Sequence, residues 1–308
     1  RDSHQRVSGV SGVVQGVGDS IDRVKLSPIL GLQGVATASA GWWHTCAARS
    51  DGSVLCWGMN KNGSLGTDDD AEKLLRPTPV PGISDVVGLA AGLWHTCART
   101  RNGKVSCWGQ RGDWQLGTAL TQENVTIRAI PEASAATSIA AGGTHSCAVK
   151  RNGEVVCWGK LRSGISIGGT SPRVVPGLSD VVSVAVGDSH VCALKSSGTV
   201  SCWGANGVGQ LGTGESGFAY SQDSPVSVIG LTDVVQIAAG AGHSCALNRA
   251  GNVSCWGDNR SGQLGLGDDK QRSAPALLDS QELVVELAAA GNQTCVIKAD
   301  DKFVCWGG

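Results

Sequence analysis

Residues 233–267 read DVVQIAAGAGHSCALNRAGNVSCWGDNRSGQLGLG, and this stretch decides the fold. Its first part, Asp233 to Gly240, carries the apolar alternation of a short strand. Cys245 and Cys255 then bracket a hairpin, with Gly251 six positions after the first cysteine, where a tight turn needs a residue that tolerates positive φ. Beyond Cys255-Trp256-Gly257 comes Asn259 to Gly265, an N-x-x-G-Q-L-G turn. Turn signals this close together leave room only for short antiparallel strands, and four per unit is the natural number.

The same grammar occurs six times. The first cysteine of each unit falls at Cys46, Cys97, Cys147, Cys192, Cys245 and Cys295, giving steps of 51, 50, 45, 53 and 50 residues. Cys-Trp-Gly is present in every unit, with Trp57, Trp108, Trp158, Trp203, Trp256 and Trp306. A period near fifty marks a repeat architecture. Gly308 comes directly after the sixth Cys-Trp-Gly, without the turn and proline segment found elsewhere. The other end supplies them: Gly16-Val17-Gly18-Asp19 matches Gly265-Leu266-Gly267-Asp268, and both Gly18 to Cys46 and Gly267 to Cys295 span 28 positions. The N-terminal segment is therefore expected to complete the last unit, as in a closed ring and not an open solenoid. The reading is an all-β, six-bladed β-propeller over residues 1–308 as one domain, with 1–13 as a flexible tail and about 14–31 as the closing segment.

Composition agrees and narrows the function. Gly supplies 45 of 308 residues, roughly twice the usual ~7%, while Met, Tyr and Phe number 1, 1 and 2. That bias favours turns and short strands over long helices. Lys+Arg (25) and Asp+Glu (26) nearly cancel, which argues against nucleic acid or an anionic membrane as a partner. No apolar run approaches the ~18 to 20 residues that span a bilayer, so no membrane insertion is expected. The start at Arg1, without initiator Met or signal peptide, reads as a mature form or a fragment.

The units resemble the regulator of chromosome condensation repeat family, whose members are β-propellers. The likeness rests on G-x-x-H-[ST]-x-A, x-x-G-x-V-x-x-W-G and N-x-x-G-Q-L-G, is cleanest in Ala239 to Gly257 and Asn259 to Gly267, and runs from about Val14 to Gly308. Two departures limit what it implies. Family members usually have seven blades, whereas this sequence closes on six. Nuclear members lack the paired cysteines found here, which makes a guanine-nucleotide-exchange role the least favoured reading.

Twelve cysteines form six pairs, each ten residues apart across a hairpin. With the turn centred on residue 51, Cys46 and Cys56 lie opposite each other, where antiparallel Cα separations of about 4.5 to 5.5 Å overlap the disulfide range. The predicted bridges are Cys46 to Cys56, Cys97 to Cys107, Cys147 to Cys157, Cys192 to Cys202, Cys245 to Cys255 and Cys295 to Cys305. Each closes a loop valued at roughly 3 kcal/mol in the chain-entropy account. Two other readings stand beside this one. His44, Cys46 and Cys56 could ligate a metal, though the sixth unit has Gln293 in the His position. Reduced cysteines could serve as small core hydrophobes. The reading adopted is disulfides, with no metal and no cofactor. Bridges imply an oxidising compartment, hence a secreted or extracellular-surface protein. Asn-x-Ser/Thr sequons support that compartment: Asn62, Asn124, Asn259 and Asn292 are glycosylation candidates, Asn124 the best, while Asn252 in a tight hairpin is the poorest.

No nucleophile elbow, HExxH helix or phosphate loop is present, and an enzyme is not expected. His44, His95, His145, His190 and His243 recur at one equivalent position per unit, which points to structural hydrogen bonding with backbone. The six Cys-Trp-Gly tryptophans read as core. Trp42, Trp43, Trp94 and Trp114 instead occupy slots where most other units have Gly, Ala, Thr, Ser or Asp. Strand parity puts those slots on one side of the disc, together with the most variable connections, including the one that carries Phe218 and Tyr220. Variation confined to one face of a repeat protein marks a binding face. The expected function is a non-enzymatic binding or structural scaffold for an extracellular protein. A carbohydrate-binding lectin recognising a glycan and a secreted enzyme inhibitor are the alternatives.

Overall fold

The computed structural model describes residues 29, 31–67, 69–110, 112–117, 127–160, 169–279 and 282–308. Blade 1 comprises β1 (Val35–Ala40), β2 (His44–Arg49), β3 (Val54–Met59) and β4 (Lys73–Pro79). Blade 2 comprises β5 (Val86–Ala91), β6 (His95–Thr100), β7 (Val105–Gly109) and β8 (Ile127–Ala129). Blade 3 follows with β9 (Ala136–Ala141), β10 (His145–Lys150), β11 (Val155–Gly159) and β12 (Gly169–Val174). Blade 4 has β13 (Val181–Val186), β14 (His190–Lys195), β15 (Val200–Gly204) and β16 (Gln222–Ser227). Blade 5 has β17 (Val234–Ala239), β18 (His243–Asn248), β19 (Val253–Gly257) and β20 (Arg272–Leu277), and blade 6 has β21 (Val284–Ala290), β22 (Gln293–Lys298) and β23 (Phe303–Gly307). Each blade is an antiparallel sheet in chain order, four-stranded in blades 1 to 5 and three-stranded in blade 6 among the described residues. The six-bladed, all-β propeller read from the sequence is the observed architecture. Of the expected closing segment at about 14–31, all but Ile29 and Gly31 lies outside the described residues.

The first strand of each blade is the innermost. β1, β5, β9, β13, β17 and β21 stand side by side at the five junctions between consecutive blades, and β21 does not pack on β1 in the same way. Together they line a central channel of about 440 Å³. The junctions are close. A Cβ on Gly41 would sit 2.3 Å from the Gly92 carbonyl oxygen, and one on Gly142 would sit 1.9 Å from that of Gly187. This is why the third residue before each His is Gly in blades 1 to 5. Blade 6, whose β21 makes no junction with β1 as extensive as the other five, carries Ala290 there.

All six predicted disulfides are present, from Cys46–Cys56 to Cys295–Cys305, so the thiolates that a metal site would need are absent. Their Cα atoms are 4.0 to 4.1 Å apart, closer than the expected spacing. Each cysteine pair is a directly opposed pair in its hairpin, as Cys245 and Cys255 show between β18 and β19. The bridge of one blade packs against the tryptophan of the next: Cys46, Cys56, Leu65, Val86, Leu89 and Trp108 share one apolar cluster. Trp57, Trp108, Trp158, Trp203 and Trp256 are fully buried. Truncating one such indole in a packed core costs about 3–5 kcal/mol.

Among the described residues, four of the six indoles donate across a blade junction. Trp108 Nε1 donates to the Ser64 carbonyl at 3.1 Å, Trp158 to Gln115 at 2.9 Å, Trp256 to Gln210 at 2.9 Å and Trp306 to Gln263 at 3.0 Å. The histidines were expected to bond backbone; for four of the five the partner is instead a hydroxyl on the next blade, while His145 interacts with the His190 backbone. Nε2 of His44, His95, His190 and His243 lies 2.7, 2.8, 2.8 and 2.8 Å from Thr96, Ser146, Ser244 and Thr294. Thr294 donates its own proton to the Gln263 carbonyl at 2.8 Å, so it accepts from His243, which fixes the proton on Nε2. Burial pushes these imidazoles far below the ordinary 6.5, to about 4 for His44 and His243 and about 3 for His95, His145 and His190.

Candidate functional site

The connections from first to second strand, residues 41–43 in blade 1 and 92–94 in blade 2, leave the disc on one side. Alternating strand direction brings the third-to-fourth connections out on that side too. Backbone bonds hold the tryptophans in place: Met59 N donates to the Trp43 carbonyl and Gln110 N to the Trp94 carbonyl, both at 2.8 Å. With their main chain pinned to the third strands, the indoles project from the face. Trp42 is 38% exposed and Trp43 45% exposed.

Trp43 and Trp94 stack, with ring centroids 6.1 Å apart and planes 12° from parallel. Lys61 Nζ lies 5.5 Å from the centroid of the Trp94 ring, a cation–π distance. Lys61 belongs to the short 3-10 turn Lys61–Gly63 of blade 1, so two blades build one shelf. A cleft of about 340 Å³ continues from it, lined by Lys61, Asn62, Trp94, Gln110, Asp113 and Lys160, among others. The Thr144 hydroxyl donates to the Lys160 carbonyl and fixes the far wall. The arrangement is a flat aromatic surface with a cationic rim and one carboxylate. Exposed Trp beside a positive charge is a common composition of binding hot spots.

Trp114 sits in the second blade's turn with φ 61°, the left-handed slot that Gly63, Gly209 and Gly262 fill in blades 1, 4 and 5. Its neighbour Asp113 lines the cleft. Phe218, 90% exposed, and Tyr220, 42% exposed, form the 3-10 turn of blade 4. They share the side of the disc with the shelf but make no ring contact with it, so the aromatic residues of the predicted face fall into a stacked pair on blades 1 and 2 and a separate turn on blade 4. Lys61 escaped sequence reading because nothing in the repeat distinguishes it from other turn residues.

The sequons divide by burial. Asn62 and Asn292 are exposed. Asn259 is fully buried: its amide donates to the Asp268 carbonyl at 2.8 Å and its oxygen accepts from Leu264 N at 2.9 Å. A glycan cannot reach that nitrogen in the folded chain, which corrects the expectation for Asn259. Asn124 lies outside the described residues.

Models of the regulator of chromosome condensation (RCC1) repeat match residues 35–64, 136–164, 181–210 and 234–263 in one form, and 51–99, 197–247 and 250–297 in another. The chain belongs to the RCC1-repeat family of β-propellers. It is 29% identical over 269 residues to human "Probable E3 ubiquitin-protein ligase HERC6", spanning 84% of this chain and 22% of that one. It is 30% identical over 284 residues to "Ultraviolet-B receptor UVR8" of Arabidopsis thaliana, spanning 86% of this chain and 63% of that one. The chain thus covers less than two thirds of either relative. Among solved structures, human WBSCR16 superposes with a TM-score of 0.81 at 20% identity, covering 98% of this chain and 83% of that one. Prp20p of Saccharomyces cerevisiae gives 0.74 at 22%, covering 89% and 68%. The ectodomain of the Physcomitrella patens receptor kinase CR4 gives 0.53 at 21%, covering 88% and 63%. These likenesses are of fold. No helix among the described residues is long and apolar enough to cross a membrane.

Proposed function

We propose that this propeller is a secreted or cell-surface scaffold that binds an extracellular protein through the Trp43–Trp94 shelf and performs no catalysis of its own. The observation that carries the reading is the stack itself: two indoles from different blades, partly open to solvent and flanked by Lys61. A non-catalytic role is supported by the use of the histidines, four of which spend Nε2 on a hydroxyl of the next blade. Prp20p is described by its binding to Gsp1p and histones, and the CR4 structure is an ectodomain, so the fold has both a protein-binding and an extracellular precedent. Six bridges suit an oxidising compartment.

The test compares the immobilised chain with its Trp43→Ala/Trp94→Ala form in extracellular fluid from the source organism, with intact mass measured on native material. The expected result is six bridges in both forms and at least one protein retained by the native chain alone. Identical retention by the two forms would remove the shelf as the binding surface. Twelve free thiols in native material would remove the compartment.

A further inference from the structure

Two departures from the repeat occur in blade 2 and fit each other. The second-last position of the second strand is apolar in the other blades, namely Ala48, Val149, Leu194, Leu247 and Ile297, but is Arg99 in β6. The channel-facing position opposite it carries a side chain in the other blades, namely Thr37, Ser138, Ser183, Gln236 and Glu286, but is Gly88 in β5. Gly88 and Arg99 are direct partners in the sheet. Arg99 lies across the space the missing side chain leaves, with Nε 3.4 Å and Nη2 3.6 Å from where a Gly88 Cβ would be, and so becomes part of the channel wall. Arg99 stands near the hairpin end of β6, at the channel mouth opposite the tryptophan shelf.

The guanidinium is half-buried and makes no side-chain hydrogen bond or ion pair with a described residue. Burial holds its pKa below the usual arginine value, and the acidic residues of the channel wall are Asp188 and Glu286. A partly desolvated cation without a counter-charge among the described residues is unfavourable where five other blades show that an apolar side chain suffices. What a guanidinium offers in return is a planar fork matched to carboxylate and phosphate oxygens.

We propose that the central channel holds an oxyanion site, in which Arg99 is the anchoring cation, Gly88 provides its passage, and Thr37 and Ser138 on the flanking blades supply hydroxyl donors to a carboxylate or phosphate group. The two sources of that chemistry, a free ion and the carboxylate of a peptide, are separable. Full-length native protein with 15N-labelled arginine is titrated at constant ionic strength with sodium phosphate, with a short Gly-Ser peptide ending in a free carboxylate, and with the amidated form of that peptide. The Arg99 Nε–Hε resonance and calorimetric heat are followed. The expected result is saturable binding of phosphate or of the free-carboxylate peptide, with the amidated peptide at least tenfold weaker. Arg99→Leu, which restores the residue type of blades 4 and 5, is expected to fold with all six bridges and to weaken binding at least tenfold. Gly88→Ser, which fills the passage and keeps the cation, is expected to weaken it as well. Absence of saturable binding by both phosphate and the free-carboxylate peptide, or equal binding by native protein and Arg99→Leu, overturns the site.

Discussion

Trp43 and Trp94 lie face to face across the junction of the first two blades, 6.1 Å between ring centroids, although 51 positions separate them in the chain. Their slots hold Thr144, Ser189, Gly242 and Asn292 in the remaining blades, so propeller packing does not require the pair. Trp94→Ala removes both the stack and the Lys61 contact, whereas Trp43→Ala removes the stack alone. Partner affinity, measured by surface plasmon resonance, is expected to fall at least tenfold for Trp94→Ala and less for Trp43→Ala. Neither should lower the unfolding free energy by more than about 1.5 kcal/mol, since an aromatic pair is worth about 0.5–1.5 kcal/mol. A larger loss of stability than of affinity would make the pair structural.

Trp114 stores strain. It holds φ 61° in a turn where Gly63, Gly209 and Gly262 take the same conformation without a Cβ. A residue other than Gly, Asn or Asp in this region is disfavoured by roughly 1–2 kcal/mol. Trp114→Gly is expected to raise the denaturant midpoint by the equivalent of about 1 kcal/mol, while weakening any contact made through the second blade's turn. A lower midpoint would show that indole packing outweighs the strain.

The architecture was legible because the repeat prints its own punctuation: Cys-Trp-Gly, the Cys pairs and the N-x-x-G-x-L-G turn fix blade number, hairpin register and bridges together. Legibility ended where the outcome depended on what one blade does to the next. Trp43 and Trp94 could be placed on one face, but their stacking depends on how closely Gly41 approaches Gly92. The histidines could be given a structural role, but their hydroxyl partners are visible only once blades are adjacent. Asn259 carries a valid sequon, yet it is also the turn asparagine whose amide closes N-x-x-G-Q-L-G, and that use consumes it. Arg99 reads as an exception to the apolar pattern until its pairing with Gly88 is known.

The histidines give the propeller an acid limit above the carboxylate range. Their folded pKa values of about 3 to 4 lie below the ordinary 6.5, so the unfolded chain takes up protons first. Stability is therefore full above about pH 6.5 and declines as pH falls toward 3–4, each site contributing about 1.4 kcal/mol per pH unit within that window. Urea titrations between pH 7.5 and 4.5 are expected to show this decline. His95→Gln, borrowing the residue that blade 6 uses at Gln293, should reduce the proton uptake on unfolding at pH 5 by about one. A flat profile over this range would mean that the imidazoles titrate normally in the fold.

His145 is the one histidine of the five without a hydroxyl partner. Val191 occupies the position that Thr96, Ser146, Ser244 and Thr294 fill at other junctions, and among the described residues the buried ring of His145 meets only the His190 backbone, outside good hydrogen-bond geometry. Val191→Thr keeps the shape of a fully buried side chain and adds the missing oxygen. A hydrogen bond formed there is worth about 1 kcal/mol, and a stability gain of that order is expected by chemical denaturation. A loss would show that the hydroxyl finds no proton from His145 and is itself stranded.

Among the described residues the six bridges are not equally covered. Ten of the cysteines, from Cys46 to Cys255, are buried with 0 to 1% exposure, each pair lying between its own blade and the next. In blade 6, Cys295 is buried, but Cys305 is exposed, Phe303 beside it is 53% exposed, and Trp306 is only half-buried where its five equivalents are sealed. The rate of thiol–disulfide exchange depends on access of the attacking thiolate to a sulfur. Native protein treated briefly with a mild thiol reductant, alkylated and mapped by mass spectrometry is therefore expected to carry label first on Cys295 and Cys305, at least tenfold ahead of the other pairs. Simultaneous labelling of all six pairs would mean that reduction proceeds through global unfolding. Labelling of another pair first would mean that the outer edge of blade 6 is better covered in solution than the exposure of Cys305 indicates.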